Sequence, residues 1–394
     1  MALQFRPIPS DPTGTLLVLA HDPAIIKAAR VAAARLAGGP PQLVGSGREA
    51  LRHLFSTGER ARQLVCEPSA AGESWPALQA TAADPFAPAG IVVVDKGDEG
   101  FLRRLGSCSL PEALASALRN AGGLHPRGPE AGPEELAIGL ARGEITVRYQ
   151  PVVSIADRRP VLLEGLARWH RRNDAPVGPD QFVPLAERSG QAQALAMAVS
   201  AAAFGELSAA PARIGAALSL NLPLAVLLER DVLGWLRRLM RHTGFPLSAL
   251  TLELTETTPV RDRSALRRAL WRLQRAGVPV LIDDMGLEED RAALLDLPFA
   301  GIKLDRHLVA AMPHQRRARA EVERLTALAH ARRMSVTAEG ISNAHLWRSV
   351  AAAGVDNAQG YAVSRPLPAA ALPAWGMAWR GGLHRRRYAE YASR

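Results

Sequence analysis

Residues Val278–Asp305 read VPVLIDDMGLEEDRAALLDLPFAGIKLD. Two short apolar runs, Val278–Ile282 and Gly301–Leu304, are each followed by acids: Asp283 and Asp284 after the first, Asp305 after the second, which also carries Lys303. Runs of this length bounded by turn residues read as buried strands. Outward from this pair the same unit recurs at Val161–Leu163, Ala216–Leu220, Leu250–Leu254, Met334–Thr337 and Gln359–Val363, with helix-length segments between. Repetition over about 240 residues has the size and rhythm of a TIM-type (β/α)8 barrel. A doubly wound sheet has the same alternation and is the structural alternative.

In a barrel the carboxyl ends of the strands converge on one mouth, so polar residues there are candidates for a site. The runs end in Glu164 (LLEGL), Asn221 (SLNL), Glu253 and Glu256 (LELTE), Asp283 and Asp284, Lys303, Glu339 (TAEG) and Gln359 (AQGY). Clustered carboxylates repel unless cations or raised pKa values neutralise them. Carboxylate and amide oxygens are hard ligands that suit magnesium, manganese or calcium; no His/Cys set points to zinc. Adjacent residues of a regular strand face opposite ways. Asp283 and Asp284 are therefore expected to converge because the strand ends there, with Gly286 supplying the turn.

Composition agrees with a soluble globular chain: 394 residues, 48% hydrophobic and 22% charged, a length that predicts two or three domains. The formal charge is +10, which raises a polyanionic partner as a possible class. Residues 1–120 hold 12 basic and 11 acidic side chains, whereas the last fifteen residues hold five arginines and one Glu. The charge is therefore not one patch, and a nucleic-acid partner is not expected. Only three lysines occur, Lys27, Lys96 and Lys303. In so arginine-rich a chain, a lysine at a strand end among acids is read as chosen, because its compact ammonium can position a water. Two cysteines suit a reducing compartment, and the cytoplasm is expected. No run of about 18 apolar residues predicts a membrane span; Ala192–Phe204 reads as a buried helix.

Residues 121–133, rich in Gly and Pro, read as a linker. Before it, strands at Thr15–Ala20, Gln63–Cys66 and Ile91–Val94 with helices at Ala24–Leu36 and Pro111–Asn120 predict a small α/β domain over 10–120. The barrel is expected over 134–376 and a basic, frayed tail over 377–394.

YQPVV (Tyr149–Val153), EGLARW (Glu164–Trp169), FVPLAERSG (Phe182–Gly190), LNLP (Leu220–Pro223), LELTE (Leu252–Glu256), IDDMG, IKLDR, TAEG and QGYAVSRPLP (Gln359–Pro368) occur in order. This series resembles the EAL domain, the barrel family that hydrolyses the bacterial second messenger cyclic di-GMP. The resemblance implies metal-dependent opening of cyclic di-GMP to linear pGpG at a site of two Mg2+ or Mn2+ ions. Glu164, Asn221, Glu253, Asp283 and Asp284 would be the ligands. Lys303 and Glu339, with Glu164, would serve catalysis; Arg168, Gln150 and Gln359 would meet substrate; Glu256 would anchor the loop after Asp284. It also implies a homodimer.

The family's central Ala is Gly165 here, the segment usually similar to DDFGTGYSSL reads DDMGLEEDRAAL, and the Glu two residues after AEG is Ser342. These changes leave the ligands intact and alter their support, so a receptor or interaction module without turnover is the alternative. Residues 10–120 resemble a receiver (flavodoxin-like) domain without its phosphorylation residues. His21-Asp22 stands for the acid pair, Cys66-Glu67 for the acceptor and Arg104 near the lysine position. A protein partner is the role expected of it.

Overall fold

The computed structural model describes residues 16–36, 39–55, 63–82, 90–95, 109–121, 131–171, 176–209, 215–255, 260–286 and 290–380. The chain forms two compact units. One gathers the described residues of 16–54 and 63–121 with 374–380; the other holds 131–373. The helix over 372–380 thus crosses the boundary expected at 376, and the residues beyond it lie outside the described ones.

In the first unit β1 (Leu16–Leu19), β2 (Gln42–Leu43), β3 (Gln63–Cys66) and β4 (Gly90–Val93) form a parallel sheet in the order β2-β1-β3-β4. That is the start of the flavodoxin-like order. The helix Pro23–Arg35 begins where Asp22 accepts the Ala24 N–H at 2.7 Å, and it buries Ile25, Ala28, Ala29, Ala32 and Ala33, one face at helical spacing. Those side chains pack with Val18, Val65 and Leu114. The two-residue edge strand β2 was not foreseen, since two exposed residues carry no alternation to read.

In the second unit β5 (Ile145–Ser154), β6 (Pro160–Trp169), β7 (Ala217–Leu222), β8 (Leu250–Leu254), β9 (Val280–Met285), β10 (Gly301–Leu304), β11 (Ser335–Ala338) and β12 (Asn357–Gln359) close into a barrel. It departs from uniform (β/α)8 winding at one strand. A tight turn between Ser154 and Arg159 joins β5 to β6, and so short a connection can only make an antiparallel pair. β5 therefore runs against both β6 and β12, while β6 to β12 run parallel. Six predicted strands fall within two residues of the observed starts. The seventh, expected at Gln359–Val363, ends instead at Gln359, because Gly360 turns away with φ 148°. The helix Ala192–Ala209 forms as expected, with Leu195, Ala196, Val199, Ala203 and Phe204 buried.

Side chains two apart on a strand share a face. The residues that end the strands therefore sit one layer above Ser219, Thr251, Leu281, Gly301 and Thr337, which fill the barrel beneath them.

Candidate functional site

Lys303 lies on β10 at the barrel's centre and is 1% exposed. Its Nζ reaches four carboxylates, three on β6, β8 and β9 and one just past the end of β11: Glu164 at 3.2 Å, Glu253 at 2.8 Å, Asp283 at 3.1 Å and Glu339 at 2.5 Å. Asn221 Nδ2 donates to Glu164 Oε1 at 2.9 Å and Gln359 Nε2 to Glu164 Oε2 at 2.5 Å. Gln359 also donates to Gln150 Oε1 at 3.2 Å, and Gln150 donates to the Ser364 carbonyl at 3.1 Å. Gln150 stands directly across from Glu164 in the β5–β6 register. Eight of the residues expected at the site are thus joined in one network.

Asp284 reaches the cluster by a route different from the expected one. The strand does not end at Asp283; it continues to Met285 and bulges, since β9 advances from Ile282 to Met285 while β10 advances from Ile302 to Leu304. The extra residue is accommodated by Asp284 at φ 51°, in the left-handed region that Asp tolerates better than most non-glycine residues. Gly286 has no positive φ and is not the device. Asp284 N donates to Asp283 Oδ1 at 3.1 Å. The bulge lets Asp283 serve two groups of oxygens, one with Glu164 and Glu253, the other with Asp284 and Glu339, each within 4.8 Å.

Burial sets the proton affinities. It pushes the Glu253 carboxyl up to about 8, the neighbouring Glu164 and Asp283 adding to the shift and Lys303 opposing it. Burial, then Asp283, pushes Asp284 up to about 6, and burial raises Glu339 well above the ordinary carboxylate range. Burial acts the same way on Glu164, yet Lys303 and the bonds from Gln359 and Asn221 outweigh it and hold this carboxyl below its usual value. Burial opposes the charge on Lys303, but Asp283, Glu164, Glu253 and Glu339 keep it an ammonium.

The donor set suits divalent cations. Asn221 Oδ1 and Glu253 Oε1 are buried with no hydrogen-bond partner, and buried polar atoms left so are costly unless something binds them. Five carboxylates and one ammonium sum to −4 when all are ionised, a charge that two divalent cations balance. All the donors are hard oxygens.

Arg168 is carried by β6 as well. It stands four residues beyond Glu164, where β6 pairs with β5 alone, and its Nη1 donates to the Ala167 carbonyl at 2.8 Å. Glu256 lies outside the described residues. The Ser364 carbonyl was missed because a backbone acceptor leaves no mark on sequence. Ser219 was legible, being two residues before Asn221 on the same face of β7; its Oγ is buried without a partner.

Two glycines fix the loops that carry Glu339 and Gln359. A Cβ on Gly360 would fall 2.3 Å from Ile341 N, and one on Gly340 would fall 2.7 Å from Arg306 Cβ. Ile341 N donates to the Gln359 carbonyl at 2.9 Å, so the two loops are stitched backbone to backbone.

Fold and site together define a barrel that gathers an acidic, oxygen-rich cluster at its mouth. The chain belongs to the EAL domain family, whose profile matches residues 134–366. A cyclic di-GMP phosphodiesterase of Pseudomonas aeruginosa is 31% identical over 241 residues, 61% of this chain and 41% of that protein. The uncharacterized protein y4lL of Sinorhizobium fredii is 31% identical over 231 residues, 58% of this chain and 28% of that one. The solved PaMucR phosphodiesterase, a c-di-GMP complex, matches with TM-score 0.55 at 26% identity, covering 60% of this chain and 96% of that structure. The chain thus matches less than half the length of these two curated relatives.

Proposed function

We propose that the chain is a divalent-metal-dependent phosphodiesterase that opens cyclic di-GMP to linear pGpG. The observation that carries this reading is the ring of carboxylates around Lys303 with Asn221 Oδ1 and Glu253 Oε1 left free of hydrogen bonds. The names of the similar phosphodiesterases support it.

Glu164, Asn221, Glu253 and Asp283 would hold one cation, and Asp283 with Asp284 a second, either Mg2+ or Mn2+. Bound there, the cations supply Lewis-acid stabilisation of the charge that builds on the phosphate oxygens. Lys303, held as an ammonium, orients the attacking water by donating to its oxygen. Glu339, whose carboxylate lies beside Lys303, would take the proton that water loses as the new P–O bond forms. The scissile P–O bond breaks on the opposite side, its electron pair going to the sugar oxygen, which then takes a proton from solvent water. Gln150 holds the Gln359 amide, which keeps Glu164 turned into the site. Arg168 meets a second phosphate oxygen pair with its planar guanidinium. The reading takes the protein to be a cytoplasmic homodimer, with residues 10–120 receiving a protein partner.

The test is incubation with cyclic di-GMP and Mg2+ or Mn2+, with chromatographic detection of pGpG. Turnover by the wild type and none by Glu164→Ala is the expected result. Micromolar binding of cyclic di-GMP with no turnover under either metal would overturn the enzyme reading and leave a receptor.

A further inference from the structure

The helix Arg263–Arg275, which follows β8, reads RSALRRALWRLQR and contains no acid. Its inner face buries Leu266, Ala269, Leu270 and Leu273. On the outer face Arg263, Arg267, Trp271 and Arg275 succeed one another at intervals of four, which aligns them along one ridge about 18 Å long. All four are exposed, as is Arg268 beside them. Trp271, at the middle of the ridge, is 56% exposed, whereas Trp169, Trp235 and Trp375 are buried.

Among the described residues, the acids flanking this face are engaged elsewhere. Asp262 caps the helix, accepting the Ala265 N–H at 2.8 Å. Asp296, which feels Arg263 and Arg267, is bound by Arg332 at 2.7 Å. Arg272 reaches the Glu229 carbonyl at 3.2 Å and so ties this helix to the start of the long helix before it in the chain. That one, Val232–Thr243, is also without acids and exposes Arg237, Arg238 and Arg241. Asp231 before it is paired with Arg238 at 2.8 Å.

We propose that this arginine ridge with Trp271 at its centre docks the barrel on an anionic lipid surface. Charge complementarity requires a polyanion, and a second copy presenting the same face would be repelled. Among polyanions the shape favours a plane. Barrel helices lie flat against the outside of the sheet, so this one offers a broad face rather than a projecting element for a DNA groove. It also has one aromatic rather than the series of stacking platforms in a groove that single strands use. A tryptophan between arginines matches the interfacial layer of a bilayer, where the ring enters among the headgroups and guanidinium groups meet lipid phosphates.

The measurement is co-sedimentation of the full chain with large vesicles of phosphatidylcholine containing 30% phosphatidylglycerol, against vesicles of phosphatidylcholine alone. Binding is expected only with the anionic lipid and is expected to be lost in half-molar salt. The triple variant Arg267→Ala/Arg268→Ala/Arg275→Ala should lower the partition coefficient about a hundredfold. The corresponding lysine triple should retain most of it. Trp271→Ala should lower it several-fold while keeping the salt dependence. Unchanged melting temperatures would show that the variants fold. The basic residues beyond 380 are common to all these proteins, so the differences report the ridge. Equal partition onto both vesicles, or no effect of the arginine triple, would overturn the proposal. So would binding of a single-stranded or duplex oligonucleotide at the same salt without vesicle binding, which would reassign the ridge to nucleic acid.

Discussion

Lys303 stands in for missing positive charge. With its ammonium among Glu164, Glu253, Asp283 and Glu339, the cluster can exist without cations only because Glu253 and Glu339 hold protons more tightly than usual. Removing one partner of a buried charged network costs about 3–5 kcal/mol. We therefore predict that Lys303→Met lowers stability by about that amount in EDTA, less with Mn2+, and abolishes turnover; urea melts with and without metal check it. The same balance gives a pH dependence. Carboxyls raised in the folded state bind more protons than in the unfolded chain, so stability falls as pH rises. In EDTA the melting temperature is predicted to fall from pH 5.5 to 8.5, the span over which Asp284 at about 6 and Glu253 at about 8 must ionise. Glu164 is held below its ordinary value, so its contribution does not change there. Divalent cation should flatten the slope, and Glu253→Gln should reduce it in EDTA. A metal-free melting temperature that rises over this interval would contradict the assignment.

The elements show how far sequence could be read. The acids at the strand ends were legible because burial and chemistry leave opposite marks: an apolar run, then an abrupt carboxylate. What brings them together was not. The bulge in β9 depends on a register difference with β10, and the closure of the barrel through β5 depends on its pairing with β12, about 200 residues away. Neither is a local property of the residues concerned. Glycines make the same point. Gly165 was read as a mild change, and a Cβ there would meet the flexible end of Leu220 at 2.6 Å. Gly165→Ala is predicted to cost about 1 kcal/mol, the low end for overpacking. Gly360→Ala would instead drive a Cβ into the Ile341 backbone, which has no rotamer to yield. Its predicted cost is at least about 2 kcal/mol, with metal affinity falling as Gln359 and Glu339 lose their common support. Denaturant melts and Mn2+ titration of both variants would separate the two; equal costs would show that the stitched loops can part.

At the scale of the whole molecule, the +10 charge that first suggested a polyanion resolves into a mouth short of positive charge and an outer helix that concentrates it. The chain also leaves its first unit and returns to it: the described residues 374–380 cluster with that unit, and Ala374, Trp375 and Ala378 are buried. Trp375 stacks on Trp379 with ring centres 5.9 Å apart. The end of the chain was expected to be a solvated tail, and up to residue 380 it is a helix with a buried face. Burying a large aromatic side chain is worth about 1.5–3 kcal/mol. Truncation after Pro373 is therefore predicted to lower the melting transition of the first unit. The barrel keeps every residue of the carboxylate network, so its transition should stay where it was and still rise with Mn2+. Scanning calorimetry of the truncated and full chains, each with and without Mn2+, separates these effects, because only the barrel transition responds to metal. A truncation that shifted the metal-responsive transition and spared the other would assign the helix to the barrel instead.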